Sequence, residues 1–228
     1  ASDLIIIYSS SGITGLGNEA INITSGTATT SQANTLAAAT TGILSATISE
    51  GDMATLDGIT ESGNALSITV TDTIVAATEL NTLDSKTTTD LTVTSSTITG
   101  LATDVITAYT ATGSIDGLGN EAVTLSDTSI DAEVLINLDA LTSGIINASS
   151  INTITGAASD LITAYEANEA GTITGLNNEV VILTDTNLSA ANLLTLDAYP
   201  YTTGVVNAVS VNTITGAAAD LIAAYAAK

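Results

Sequence analysis

The chain has 228 residues, with 24 acidic and 2 basic side chains, no histidine and no cysteine, and a formal charge of −22. Only 11% of residues are charged and 45% are hydrophobic, which excludes an acidic disordered tail, because disorder goes with low hydrophobicity. The missing residue types exclude a Ser-His-Asp triad, a cysteine nucleophile, a thiolate or imidazole metal site and a disulfide.

The cations are Lys86 and Lys228. Nucleic-acid binding needs basic side chains to neutralise phosphates, so no nucleic-acid partner is expected. An anionic membrane surface is repelled for the same reason. No apolar run approaches the ~18 residues of a membrane helix, so no membrane insertion is expected. Leu4-Ile5-Ile6-Ile7 is too short for the core of a signal peptide, and an export signal is expected to lie outside this segment.

In chain order, the first predicted element is a helix opening on Ala1-Ser2-Asp3-Leu4-Ile5. It is a truncated copy of a motif, T-I-T-G-x-x-x-D-[LV]-I-x-A-Y, that recurs at Thr97–Tyr109, Thr153–Tyr165 and Thr213–Tyr225. The copies are spaced by 56 and 60 residues (160 − 104 and 220 − 160). After Gly100, Gly156 and Gly216 the apolar residues recur at helical spacing, as in Leu101, Val105 and Tyr109. These are type A helices of about three turns.

A second motif follows, G-L-x-N-E, at 15–19, 117–121 and 175–179. It leads into alternating strands, with Ile21 and Ile23, Val123 and Leu125, and Val181 and Leu183 on one face. A third motif, L-x-x-L-D, predicts short type L helices at Leu80–Asp84, Leu135–Asp139 and Leu193–Asp197, with a weaker form at Met53–Asp57 and a decayed one around Leu36. Ser49-x-x-Asp52 has the form of a capping box, and Ser129 and Ser189 are candidate N-caps. Between helices, Ile145–Thr155 and Val205–Thr215 are β-branched and predict further strands. The helix order is A, L, L, L, A, L, A, L, A.

Parallel strands need crossovers of a dozen or more residues, and each helix with its turns supplies one. The expected fold is an α/β repeat: an elongated solenoid of parallel β-strands each followed by a short helix, with a right-handed parallel β-helix as the alternative. Residues 1–228 are read as one array, less regular over 1–96 and regular over 97–228. The absence of Phe and Trp implies a thin core, which suits units that bury their faces on neighbours. The segment starts and stops inside a type A helix, with no polar cap at either end. The expected partners are therefore other copies stacked end to end through the terminal repeats, or flanking repeats of a longer chain.

The carboxylates fall into repeat positions: Asp3, Asp104, Asp160 and Asp220; Asp57, Asp84, Asp139 and Asp197; Glu19, Glu121 and Glu179; Asp72, Asp127 and Asp185. Stacked like charges repel by roughly 1 kcal/mol per pair at 4 Å in water. Relief is expected from solvent, salt or bound cations. Asp72, Asp127, Asp185, Asp84, Asp139, Asp197, Glu121 and Glu179 are the candidate calcium ligands, calcium being the cation such oxygen-rich clusters suit. The competing assignment is helix capping and turn formation. Catalysis is not expected: two carboxylates suffice for an inverting glycosidase, but the tyrosines sit mostly in one repeated motif and read as packing, not as a sugar cleft. The Thr-Ile-Thr triplets at 97, 153 and 213 fit strand propensity better than an ice-binding array.

The three motifs together resemble the repeat tracts of very large, acidic surface proteins of marine cyanobacteria. The resemblance rests on Thr155–Tyr165, Gly117–Thr128 and Leu135–Thr142, and it covers nearly the whole chain. It implies an extracellular structural or adhesive role and brings no catalytic residues. The chain is thus expected to be a cell-surface structural repeat protein of a filament, layer or stalk, with a calcium-dependent adhesin or ligand-binding domain as the alternative.

Overall fold

The computed structural model describes residues 1–199 and 205–226, and Lys228 lies outside the described residues. Contacts divide the chain into two compact units, Ala1–Ile98 with Thr107–Leu118, and Thr99–Ile106 with Gly119–Lys228. The elements run in order α1 (Ser2–Tyr8), β1 (Ile21–Asn22), α2 (Thr30–Ala37), β2 (Leu44–Thr47), α3 (Met53–Leu56), β3 (Ala65–Val70), β4 (Ile74–Ala76), α4 (Ala77–Asp84), β5 (Leu91–Val93), β6 (Thr97–Gly100), α5 (Ala102–Thr110) and β7 (Ile115–Asp116). They continue as β8 (Ala122–Leu125), β9 (Ser129–Asp131), α6 (Ala132–Asp139), β10 (Ile146–Asn147), β11 (Thr153–Gly156), α7 (Ala158–Ala170), β12 (Ile173–Thr174), β13 (Val180–Leu183), β14 (Asn187–Ser189), α8 (Ala190–Ala198), β15 (Val206–Asn207), β16 (Thr213–Thr215) and α9 (Ala218–Ala226). The fold is α/β, with parallel strands in several sheets and short strand runs leading into helices.

The helices among the described residues fall in the predicted A and L order. The buried face of α5 starts one residue later than the spacing predicts. Ala102, Val105 and Ala108 are buried, whereas Leu101 precedes the helix and is exposed. Ser189 caps α8, accepting from Asn192 N–H at 3.5 Å. Ser129 lies in β9 instead, and Asp131, next to the helix, caps α6 by accepting from Glu133 N–H at 2.9 Å. Asp52, not Ser49, caps α3, accepting from Thr55 N–H at 3.0 Å. A capping box does form at α2, between Thr29 and Gln32, where the sequence reading placed none.

In the first unit, β1, β2, β3, β5 and β7 form one parallel sheet in that order. In the second, β8, β10 and β12 pair in parallel, as do β9, β11, β13 and β15, and β14 with β16. Partners lie one strand–helix repeat apart: Ala46 pairs with Leu66 and Ile154 with Val181, 20 and 27 residues on (66 − 46 and 181 − 154). The strands are short because Ser149 and Ser150 turn the chain between β10 and β11, breaking the predicted run of 145–155 in two. The interior is aliphatic, with Leu44, Leu66, Leu80 and Leu91 in the first unit and Leu135, Ile146, Ile154 and Leu161 in the second fully buried. Each such side chain contributes about 1.5–3 kcal/mol of burial.

The starts of α6 and α8 pack against a glycine one repeat on. A Cβ on Gly156 (φ 154°) would lie 3.1 Å from Ala132 Cβ, and one on Gly216 3.2 Å from Ala190 Cβ. Alanine against glycine lets backbone approach backbone, which is why T-I-T-G keeps its last residue. No helix is long and apolar enough to cross a membrane among the described residues.

Candidate functional site

The repeated carboxylates are the chemistry this sequence offers, and the structure gives each position a definite place. Asp72, Asp127 and Asp185 sit just after β3, β8 and β13. Each reaches back to the first N–H of a helix one repeat earlier. Asp72 Oδ2 accepts from Met53 N–H of α3 (2.7 Å), Asp127 Oδ2 from Ala102 N–H of α5 (2.8 Å), and Asp185 Oδ2 from Ala158 N–H of α7 (2.7 Å). Glu50 does the same for α2, its Oε2 accepting from Thr30 N–H at 3.1 Å. The first four N–H groups of a helix have no partner within it, and a carboxylate there also meets the positive end of the dipole. These acids therefore cap helices across the repeat boundary, at α2 and α3 in addition to the local caps Thr29 and Asp52.

Glu19, Glu121 and Glu179 fold back into their own G-L-x-N-E turns. Glu121 Oε2 accepts from Gly119 N–H (2.8 Å) and Asn120 N–H (3.2 Å), and Glu179 Oε1 accepts from Asn177 N–H (2.7 Å). Glu121 is 4% exposed and Glu179 2%. Burying a carboxylate this deeply demands hydrogen bonds to its charged form, and the main chain supplies them. Tyr165, on α7, adds a phenol O–H to Glu179 Oε2 at 3.4 Å, and Tyr8 donates to Glu19 Oε1 in the same way. Burial, the Glu179 charge and this bond push the Tyr165 phenol up. Tyr165 stacks on Tyr199 with centroids 5.5 Å apart. Tyr109 and Tyr165 thus pack, as the sequence suggests, whereas Tyr225 is 61% exposed, and Tyr8 and Tyr165 anchor glutamates.

Asp84 and Asp139 end α4 and α6, the unfavourable end of the dipole for a negative charge. Asp84 accepts from Ser114 Oγ–H (3.1 Å) and Asp139 from Thr172 Oγ1–H (3.2 Å), each about one repeat on. Asp197 lies in the last turn of α8. Asp104, Asp160 and Asp220 stand in the first turns of α5, α7 and α9, where the dipole favours them. The eight candidate calcium ligands are distributed over helix starts, turns and helix ends. Among the described residues, no three Asp or Glu side chains gather into a metal-binding group. Main-chain N–H groups and hydroxyls bond these acids, as the competing assignment of capping and turn formation expects, but several of the donors lie a whole repeat away.

The half-buried Tyr8–Glu19 pair gives a pH signature. The bond from Tyr8 and the turn N–H groups hold the Glu19 carboxyl down at about 2. The same bond, with burial and the Glu19 charge, pushes the Tyr8 phenol up to about 12. A depressed carboxyl stabilises the fold fully above its ordinary value of about 4.3, and that contribution disappears as pH falls towards 2. A raised phenol stabilises fully below about 10, and its contribution disappears as pH rises through about 12. Phenolate absorbance of native and Tyr8→Phe chains is expected to differ by one group titrating near the top of that range. A difference spectrum titrating at an ordinary tyrosine value would show that the pair does not form.

No protein-family model, no curated protein and no solved structure matches this chain.

Proposed function

We propose that this chain is an extracellular structural repeat protein, whose strand–helix units stack as a solenoid in a surface filament, layer or stalk. What supports this reading is the use made of the carboxylates. Asp72, Asp127 and Asp185 each bond the main chain one repeat earlier, and Asp84 and Asp139 bond hydroxyls one repeat on. Residue types that would serve as ligands or catalysts elsewhere are here spent on joining one repeat to the next. Parallel pairing with partners 20 to 27 residues apart adds main-chain bonds along the same direction. The remaining acidic surface keeps neighbouring molecules apart in solution. The surface location is what the resemblance to cyanobacterial surface tracts implies, and a chain without cysteine suits it.

Electron microscopy of the pure chain, with calcium and then with chelator, tests the reading. Thin rods or filaments of constant width in both conditions are expected. Compact particles in both would overturn the stacked arrangement. Rods that require calcium would return the carboxylates to the role of cation ligands and favour the adhesin.

A further inference from the structure

We propose that copies of this chain join head to tail by helix exchange, α9 of one copy taking the seat of α1 on the next. The inference deepens the stacking reading and rests on it. Residues 205–225 repeat 145–165 with 15 of 21 positions identical. The earlier copy is covered on both sides. There Tyr165 and Ile154 are fully buried, β11 pairs with both β9 and β13, and Asp185 caps α7. In the later copy, β16 pairs with β14 alone among the described residues, Ala218 is exposed where Ala158 is buried, and Ile222 and Tyr225 are 72% and 61% exposed. The difference between the two copies is the footprint of a following repeat of the G-L-x-N-E type.

The start of the chain carries such a repeat. Gly15-Leu16-Gly17-Asn18-Glu19 leads into β1, which pairs with β2 alone among the described residues. Leu16 is 44% exposed, whereas its equivalent Leu176 is buried. The place that α7 holds beside Glu179 is held beside Glu19 by α1, through Tyr8. That helix buries none of its residues. Its sequence, Ala1-Ser2-Asp3-Leu4-Ile5-Ile6-Ile7-Tyr8, matches Ala218-Ala219-Asp220-Leu221-Ile222-Ala223-Ala224-Tyr225 at five of eight positions. The two helices share the Asp, Leu, Ile and Tyr of the motif, and α9 follows β16, a strand with one side open among the described residues.

The register follows from the internal pair. Thr153, Ile154 and Thr155 pair with Val180, Val181 and Ile182, and Val180 N–H donates to Asn152 O at 2.9 Å. By the same offsets, Thr213, Ile214 and Thr215 of one copy pair with Ala20, Ile21 and Asn22 of the next. Ala20 N–H then donates to Asn212 O. Two open sheet edges are closed, and edges left open are an association hazard that proteins generally cover. The contact is heterologous, so it propagates instead of closing on itself.

The test uses the full chain. Loosening α1 with Tyr8→Ala is expected to lower the concentration for self-association about tenfold, because the seat is then more often vacant. Leu221→Glu, at the α9 position equivalent to the fully buried Leu161, is expected to hold the chain as a monomer at all concentrations. Sedimentation velocity reads both. The chain has no cysteine, so a mixture of Thr215→Cys and Asn22→Cys chains reports the register through a short bifunctional crosslinker. Crosslinked dimers are expected from that mixture and not from Thr215→Cys alone. Tyr8→Ala chains that associate no more readily than native ones, with no crosslink, would overturn the exchange. Constant-width single rods in the microscope would then leave the stacking reading intact. Compact particles would bring down both.

Discussion

Replacing both Asp127 and Asp185 by alanine is expected to cost about 2 kcal/mol of folding stability, read as a lower denaturant midpoint with an unchanged slope. Each carboxylate serves a different helix, Asp127 at Ala102 N–H and Asp185 at Ala158 N–H, so the two losses should add. The penalty arises because Ala102 and Ala158 are fully buried, and water cannot replace the missing acceptor. Asparagine keeps an acceptor oxygen and loses only the attraction of charge to the helix start. The paired exchange Asp127→Asn with Asp185→Asn should therefore cost about 0.3–1 kcal/mol per site. The comparison also separates capping from cation binding. A calcium site would make asparagine as damaging as alanine, and would make the native midpoint depend on calcium. If the double alanine chain unfolds at the native midpoint, the caps across the repeat boundary contribute nothing.

Much of the fold is legible in the sequence because its signals are local. The spacing of Leu101, Val105 and Tyr109, or of Leu135 and Leu138, is a helix pattern whatever surrounds it, although the buried face of α5 begins at Ala102. Parallel pairing follows from the separation of strands by helices. The roles of the acids are another matter. Asp185 is 27 residues from the N–H it binds, and that donor is a main-chain group common to nearly every residue, so no side-chain letter marks it. Counting cations in the sequence finds Lys86 and Lys228 and leaves bound ions and helix capping as rival sources of the missing positive charge. The structure sets the partial charges of helix starts and turn N–H groups against Asp127, Asp185 and Glu121. A usable signal does exist: Asp72, Asp127 and Asp185 each stand in a [VL]-[ST]-D-T context at the end of a strand. An acid fixed at a strand end, with a helix start one repeat earlier, is a capping pattern at long range. Asp131 was missed for a simpler reason, since the extended backbone of β9 continues to the helix and leaves the cap to its last residue.

Gly144→Ala is expected to be the most damaging single methyl that can be added to the second unit. A Cβ on Gly144 would overlap the carbonyl oxygen of Glu121 and crowd Ala122 N at 3.1 Å. Neither group can retreat. Glu121 is 4% exposed and its carboxylate is held by Gly119 and Asn120 N–H, while Val123 N–H is bonded to Ile145 O at 2.9 Å. Gly144 itself is fixed, its N–H donating to Thr142 Oγ1 at 2.9 Å. Gly144 has no positive φ, so the penalty comes from contact alone and not from backbone strain. The cost should reach the upper range of overpacking, about 3 kcal/mol. Gly42 stands in the same relation to the Glu19 carbonyl, in a turn where Thr40 Oγ1–H also donates to that oxygen at 2.6 Å. Glu19 is more exposed than Glu121, so Gly42→Ala should be milder. Gly12, with only Ser10 Oγ at 3.7 Å from an added Cβ, provides the neutral control. Thermal unfolding of the three alanine chains orders them Gly144, Gly42, Gly12 from most to least affected. A Gly144→Ala chain that melts with the Gly12→Ala control would mean that the L-x-x-L-D turn does not close on the G-L-x-N-E loop. The carboxylate of Glu121 would then lose the backing that keeps it buried.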